Sequence, residues 1–492
     1  MANQHLLFIV MFVYMLLITA LGFYMGRKVK NSSDYAIAGR KLPGWAAALS
    51  ERATGESAWA LLGLPGAAYA LGLTEIWTAI GCVLGIILGW MFIALKLRDE
   101  AEKYQADSFM EYIAKRHGAV GRYMQITGSF VIAFFFFFYI GAQFIGGGKT
   151  IHEMFGLNLS YGILIIVIFV VPYTIYGGFQ SVVYTDVVQA VLMLVTLVVG
   201  PIVGMIYIAG NPDVFASSMH EALTLSGPEY SSFTGAAKGF GAGVIIISGF
   251  SWMFGYLGGM PQLATRFMAI KNRRQAIRGR NIGILWTIFA YTGALLLGWI
   301  GLAIFGPETI PDRETVMPAV ILRIFPPVIA AILITGAFAA MISTANSLLI
   351  LSATEISESI RAGKKVNKKL SALGMSRLIT TILSLMALAF AIIAREHLIY
   401  NIVKYVWAGI GDTFSVVIIL SLFWKKYHAK AAFLTIVTGI AFTIIWIQTG
   451  MEQYISCLIL TFVVSLITAV VSTYLIRDRS YYNFNEENAN SI

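Results

Sequence analysis

Apolar runs of about 20 residues, each long enough to cross the roughly 30 Å hydrocarbon layer of a bilayer, recur along the whole of this 492-residue chain. Thirteen are read, over 6–26, 44–70, 74–95, 123–147, 159–179, 184–209, 238–261, 280–305, 327–359, 376–394, 399–423, 430–448 and 453–476. With 58% hydrophobic and 12% charged residues, too little polar surface remains to cover a soluble core. The chain is therefore expected to be an all-α polytopic membrane protein with no separate soluble domain. Its first run is too long for a signal peptide, has no basic segment ahead of it and ends in Arg27, Lys28 and Lys30, so it is expected to stay as the first helix.

The formal net charge of +10 would suggest nucleic acid in a soluble protein. Here 28 of the 35 Lys and Arg fall in alternate loops (27–43, 96–122, 262–280, 360–377, 424–430) and the tail, which is the positive-inside pattern. No nucleic-acid partner is implied. The intervening loops carry acids instead: Asp213, Glu221 and Glu229, then Glu308, Asp312 and Glu314. Together they predict a multi-pass protein of the cell (inner or plasma) membrane, amino terminus outside and carboxyl terminus cytoplasmic, as an odd number of crossings requires.

Only Cys82 and Cys457 occur, both inside apolar runs, and the six His have no ligand spacing, so neither disulfides nor a metal-thiolate centre is expected. An enzyme is not expected either. No set of nucleophile, base and oxyanion donors stands at usable spacing, and Gly146–Gly148 beside Lys149 lacks the spacing of a phosphate-binding loop. Close helix packing is the plainer use of those glycines.

Two runs look interrupted. The second holds Ser50-Glu51-Arg52-Ala53-Thr54-Gly55-Glu56-Ser57 at bilayer depth, and the seventh holds Trp252, Gly255, Tyr256, Gly258, Gly259 and Pro261. Five spans separate them. Inverted five-helix repeats with broken first helices are a common transporter plan, so 44–209 and 210–424 are read as two repeats. Residues 1–43 then add a first helix and loop, and 425–492 two peripheral helices and a short tail. Glycine serving helix packing is the alternative for the seventh run. Three ionisable side chains within six residues of the second favour a functional site, because such groups are costly in a membrane.

Further stretches carry a resemblance. They include Asp34-Tyr35 to Gly39-Arg40, Gly63-Leu64-Pro65-Gly66, Trp77-Thr78-Ala79-Ile80-Gly81, Tyr176-Gly177-Gly178, Tyr184 to Gln189, Arg266-Phe267-Met268, Ala339 to Thr344 and Trp407-Ala408-Gly409. As an ordered set over roughly residues 5 to 450, they resemble the solute:sodium symporter family, most closely its proline-transporting members. That resemblance implies a LeuT-like 5+5 inverted-repeat core and solute uptake driven by a cation gradient. Carried over, a sodium site would use backbone carbonyls at Ala53, Glu56 and Ala340 with the hydroxyls of Ser343 and Thr344. Asp186 corresponds to an acid near the cytoplasmic release route, although a helix N-terminal acid favoured by the dipole would look the same. Trp59, Tyr139, Trp252, Tyr256 and Pro261 correspond to substrate-binding positions, and aromatic packing is the plain alternative for the rings.

The chain also departs from those relatives. They carry Asp at the position of Gly55, and small or neutral residues at those of Glu51, Arg52 and Glu56. Arg52 and Glu56 are four apart and can pair along a helix. Arg52 can instead act as a fixed cation in place of sodium or receive a solute carboxylate, and Glu56 can carry a coupling proton. Asp412 in the eleventh span is a further unusual acid, which either pairs with Lys404 two turns earlier or joins the same polar cavity. The expectation is a secondary active transporter importing a small polar organic solute, an amino acid such as proline or a related zwitterion or carboxylate, coupled to sodium and with no other cofactor. The alternatives are proton-coupled or cation-independent transport through Glu56 and Arg52, and a membrane solute sensor, against which the short Asn-rich tail argues.

Overall fold

The computed structural model describes residues 2–29, 32–118, 120–361 and 372–476. Most of the basic residues expected in 360–377, and those of the tail, lie outside the described residues. What is described is helical, apart from turns, the loops at 211–218 and 226–239 and one isolated bridge between Leu42 and Ile270. In a bilayer this follows from the backbone itself, since each N–H and C=O needs a partner where no water reaches.

By length and composition, ten helical stretches among the described residues can cross a membrane, against the thirteen expected. Two of the ten are too long for one crossing. Gly44–Lys103 has 60 residues and Leu159–Gly210 has 52, or roughly 90 and 80 Å at ~1.5 Å per residue, and both fold back. In the first, Gly44 lies against Gln275 and Gly298 against Pro65, and the Trp299 indole donates to the Gly72 carbonyl. The chain then returns, so that Trp90 reaches Glu51 and Arg98 the carbonyls of Ile270 and Lys271. Gly72, at φ 63°, supplies the turn.

In the second, Thr19 meets Phe169 and Gly26 meets Gly177, after which Gln189 is back beside Tyr14. The turn is at Gly178 (φ 59°), with Tyr35 packed where a side chain would stand. A four-residue loop at 180–183 was expected there. One glycine does the work instead.

The seventh run also differs from its expected bounds. It comprises Phe240–Phe250, Trp252–Gly255 and, after a non-helical stretch, Pro261–Met268. Arg266, counted above as a loop charge, is therefore a buried helix residue. Glu314, counted as a loop acid, is also buried, accepting from Lys149 and from the backbone N–H of Ile399 and Tyr400. Gly147 and Gly148 pack on Ile166 and Ile163, which is the packing use expected of them.

Candidate cation and solute site

The site begins at a break. Helix Gly44–Ala58 carries Ser57 at φ 51°, ψ −168°, a conformation that costs a non-glycine residue about 1–3 kcal/mol and persists only where surroundings hold it. Helix Gly121–Phe155 does the holding. Tyr139 donates its hydroxyl to Ser57 Oγ at 3.1 Å, and Gln143 Oε1 accepts the Ala58 N–H at 2.9 Å. The Ser57 hydroxyl also accepts from Trp59 N, whose N–H reaches the Glu56 carbonyl as well.

Beside the break lies helix Pro327–Arg361. Thr344 donates to the Thr54 carbonyl at 2.9 Å, and the Ser343 and Ser347 hydroxyls stand 3.3 and 3.0 Å from Thr54 Oγ1. Ala53, Glu56, Ala340, Ser343 and Thr344 are all fully buried. The fold thus brings the two hydroxyls expected at a sodium site against the Ala53–Glu56 segment. Oxygen donors from two helices suit a hard monovalent cation.

One step further along is Asp186, whose Oδ2 accepts from Ser50 at 2.5 Å and from the Arg266 guanidinium at 3.1 Å. Arg266 also donates to Ser347, to Ser50 and to the Gln262 carbonyl. Asp186 stands eight residues beyond the break at Gly178, and its partners are side chains, so the helix-end reading does not describe it. Arg266 was quoted in the sequence as part of a signature, but its partnership with an acid eighty positions away had no local signal.

A second arginine sits on the opposite face of helix Gly44–Ala58 from Ser50 and Thr54, also ahead of the break at Ser57. Arg52 is held by both oxygens of Glu51, one of them at 2.5 Å from Nε, and by Glu56 Oε1 at 2.9 Å and Thr287 at 3.2 Å. Four of its five N–H groups are committed, leaving no fork for a solute carboxylate. Two carboxylates share one guanidinium, so the group as a whole retains a formal negative charge. That spare capacity is Glu56 Oε2, which has no hydrogen bond although the Tyr291 hydroxyl faces the carboxylate. The expected Arg52–Glu56 pair is present, but Arg52 as a bare fixed cation is not.

Above Glu56 the aromatic residues converge. Trp59 stacks on Trp252 at 4.4 Å between ring centroids, and Tyr291, Tyr400 and Trp407 surround the pair. Tyr256 packs on Trp407 at 5.0 Å, with its hydroxyl 2.8 Å from that of Tyr291. Tyr139 joins through Trp407. Pro261 opens the helix Pro261–Met268, where its missing N–H costs nothing. Trp407, Tyr291, Thr287 and Tyr400 were not assigned from sequence; Tyr291 and Thr287, four apart in an apolar span, were the available signal.

Asp412 is fully buried and neither of its carboxylate oxygens has a hydrogen bond. Lys404 pairs with Glu452 instead. The stretch Trp407–Asp412 between them is a π-helix, so the register of a regular helix, on which the Lys404–Asp412 pairing rested, does not hold.

Broken helices that meet at buried hydroxyls, paired charges and an aromatic box, inside a bundle shaped for a bilayer, define a secondary transporter rather than an enzyme. The model of the sodium:solute symporter family matches residues 35–439, and the chain belongs to that family, whose members couple solute to sodium. It is 32% identical to the high-affinity proline transporter PutP of Bacillus subtilis, over 91% of this chain and 93% of that one. With the osmoregulated proline transporter OpuE of the same organism it shares 30% identity over 93% and 92%. With the sodium/proline symporter of Staphylococcus aureus the identity is 30% over 89% and 85%. Among solved structures, a Na+-coupled sialic acid symporter in a substrate-bound outward-open state superposes with a TM-score of 0.75 at 19% identity, covering 96% of this chain and 98% of that one. The nucleobase-cation-symport-1 family transporter Mhp1 follows at 0.53 and 12%, over 91% and 97%. The fold is LeuT-like.

Proposed function

We propose that this protein imports a small zwitterionic solute, proline or a close relative of it, with sodium bound by Ser343 and Thr344 and by the carbonyls of Ala53, Glu56 and Ala340. The observation that carries the reading is the placement of the Ser343 and Thr344 hydroxyls against Thr54, in the segment that ends at the Ser57 break. Asp186 and Arg266 lie next along the hydroxyl chain and serve as the release step. The aromatic box supports the solute class. Its unmet polar capacity has two signs: the indole N–H groups of Trp59 and Trp407 and the carboxylate oxygen Glu56 Oε2 are all buried without hydrogen bonds. A zwitterion complements both, with its ammonium toward Glu56 and its carboxylate toward indole donors, and the three named relatives are proline transporters.

The two folded-back stretches and the broken Phe240–Met268 segment bring the ten long helices to thirteen crossings in this reading. The amino terminus is outside, and the repeats are 44–209 and 210–424. A second reading rests on Glu56 Oε2, whose buried unpaired state suits a proton carrier in place of sodium. Uptake of radiolabelled L-proline into proteoliposomes under separately imposed sodium and proton gradients tests both. Sodium-driven accumulation is the expected result; uptake indifferent to sodium but driven by protons would transfer the coupling role to Glu56.

A further inference from the structure

Asp412 belongs to neither the cation site nor the Arg52 group. It ends the π-helical stretch Trp407–Asp412, which packs on the broken seventh span and on the last two helices, Ala429–Gln448 and Cys457–Leu475. Against the seventh span the contact is backbone on backbone. A Cβ at Gly411 would stand 3.0 Å from Gly255 Cα, one at Gly259 would stand 1.9 Å from the Gly411 carbonyl oxygen, and the Gly259 N–H donates to Ser415 Oγ at 3.0 Å. Asp412 is thus carried on the backbone that closes this seam, and π-helical turns concentrate at functional sites.

The side chain is fully buried and both of its oxygens are without hydrogen bonds. Around the stretch stand Tyr139 and Tyr256, packed on Trp407, Lys404, already paired with Glu452, and the Cys457 thiol, which lies within electrostatic reach of Asp412. Thr413–Phe423 carries no titratable group, and Ala429–Gln448 only the exposed Lys430. Among the described residues no cation stands within reach of the carboxyl. An ionised carboxylate in such a place gives up its hydration and gains nothing in return, whereas the neutral acid gives up only hydrogen bonds.

We propose that Asp412 is a proton-binding site, occupied while the seam between the seventh span and the Trp407–Asp412 stretch is closed and emptied when that seam opens to water. The closed seam accommodates the acid and the open one the carboxylate, so the proton is a ligand of one conformation of the transporter and its removal shifts the population toward the other. The site is separate from the Glu56 reading above and requires neither a particular solute nor sodium.

Two measurements on the full-length protein in lipid test it. Infrared difference spectroscopy at neutral pH is expected to show the carbonyl stretch of an un-ionised carboxyl group that moves to lower frequency when aspartate carries carbon-13 in its side-chain carboxyl, and that is missing from Asp412→Asn. The isotope comparison needs no variant to fold. In the second, Ser415→Cys places a thiol in the seam, and its maleimide labelling, read by peptide mass spectrometry, is followed as pH is raised; the native Cys82 and Cys457 are buried. Labelling is expected to rise several-fold more steeply in Ser415→Cys than in Ser415→Cys with Asp412→Asn, because only the aspartate can lose its proton and open the seam. A parent without the carboxyl band, a band that the aspartate label leaves in place or that Asp412→Asn keeps, or equal pH dependence of labelling in the two cysteine variants overturns the proposal.

Discussion

Arg52 and Arg266 are both sealed from solvent, at 0% and 1% exposure, on opposite faces of the one helix that ends at the Ser57 break, yet they do different things. Arg266 faces a single carboxylate, Asp186, and spends its other donors on Ser50, Ser347 and a carbonyl. Its charge is balanced and hydroxyls carry the rest. Arg52 faces two carboxylates, so one acid remains for something else. A balanced centre beside the Ser343–Thr344 hydroxyls leaves room for an added cation there. An acid-rich centre beneath aromatic rings is suited to a solute ammonium.

The largest effect that separates the two centres is on stability. Arg52→Met leaves Glu51 and Glu56 buried together without a counter-charge, and breaking such a group costs about 3–5 kcal/mol. Arg266→Met leaves only Asp186, which keeps its Ser50 hydroxyl, and should cost less. Thermal unfolding of the purified variants reads the difference, and adding Glu51→Gln to Arg52→Met should recover part of the loss. Equal destabilisation by the two single changes would break the comparison.

Next in size is Thr344→Ala, which removes one oxygen donor from the proposed cation site. The sodium concentration for half-maximal uptake should rise on the order of tenfold, equivalent to about 1.4 kcal/mol of binding, with maximal uptake at high sodium largely kept.

Glu56→Gln should act on the other coordinate. It keeps an acceptor for Arg52 and removes the spare charge, so solute KM rises several-fold while the sodium dependence stays in place. Its stability cost should be about 1 kcal/mol, well under that of Arg52→Met. Loss of the sodium response in this variant would join the two centres into one.

The smallest effect is expected from moving the acid back. A Cβ at Gly55 would stand 3.3 Å from Leu263 Cδ2 and 3.5 Å from the Arg52 guanidinium, so a side chain there needs only a slight shift of a flexible leucine. Gly55→Asp combined with Glu56→Gln should therefore restore solute affinity close to that of the parent. Uptake kinetics of the pair against Glu56→Gln alone measure it.

The membrane-spanning helices could be read from hydropathy because each span must hide its own backbone, and that demand is local. The interruption expected within Ser50–Ser57 was legible for the same reason, as charge where lipid should be, and the structure puts the break at Ser57. What surrounds it was not. Glu51 and Arg52 are neighbours in sequence and should point apart on a helix; only the length of the arginine lets it fold back onto both oxygens. Asp186 and Arg266 meet through tertiary packing that no spacing encodes. Lys404 and Asp412 fail to meet because a π-helical stretch lies between them, and Gly178 replaces an expected loop because one residue at positive φ reverses the chain.

The division of labour between the two centres is tested most directly by binding of radioactive sodium to the purified protein, compared across the parent, Thr344→Ala and Glu56→Gln. Binding that is weakened in Thr344→Ala and intact in Glu56→Gln is the predicted result. Sodium binding that survives Thr344→Ala and disappears in Glu56→Gln would place the ion at the Arg52 centre and contradict the account.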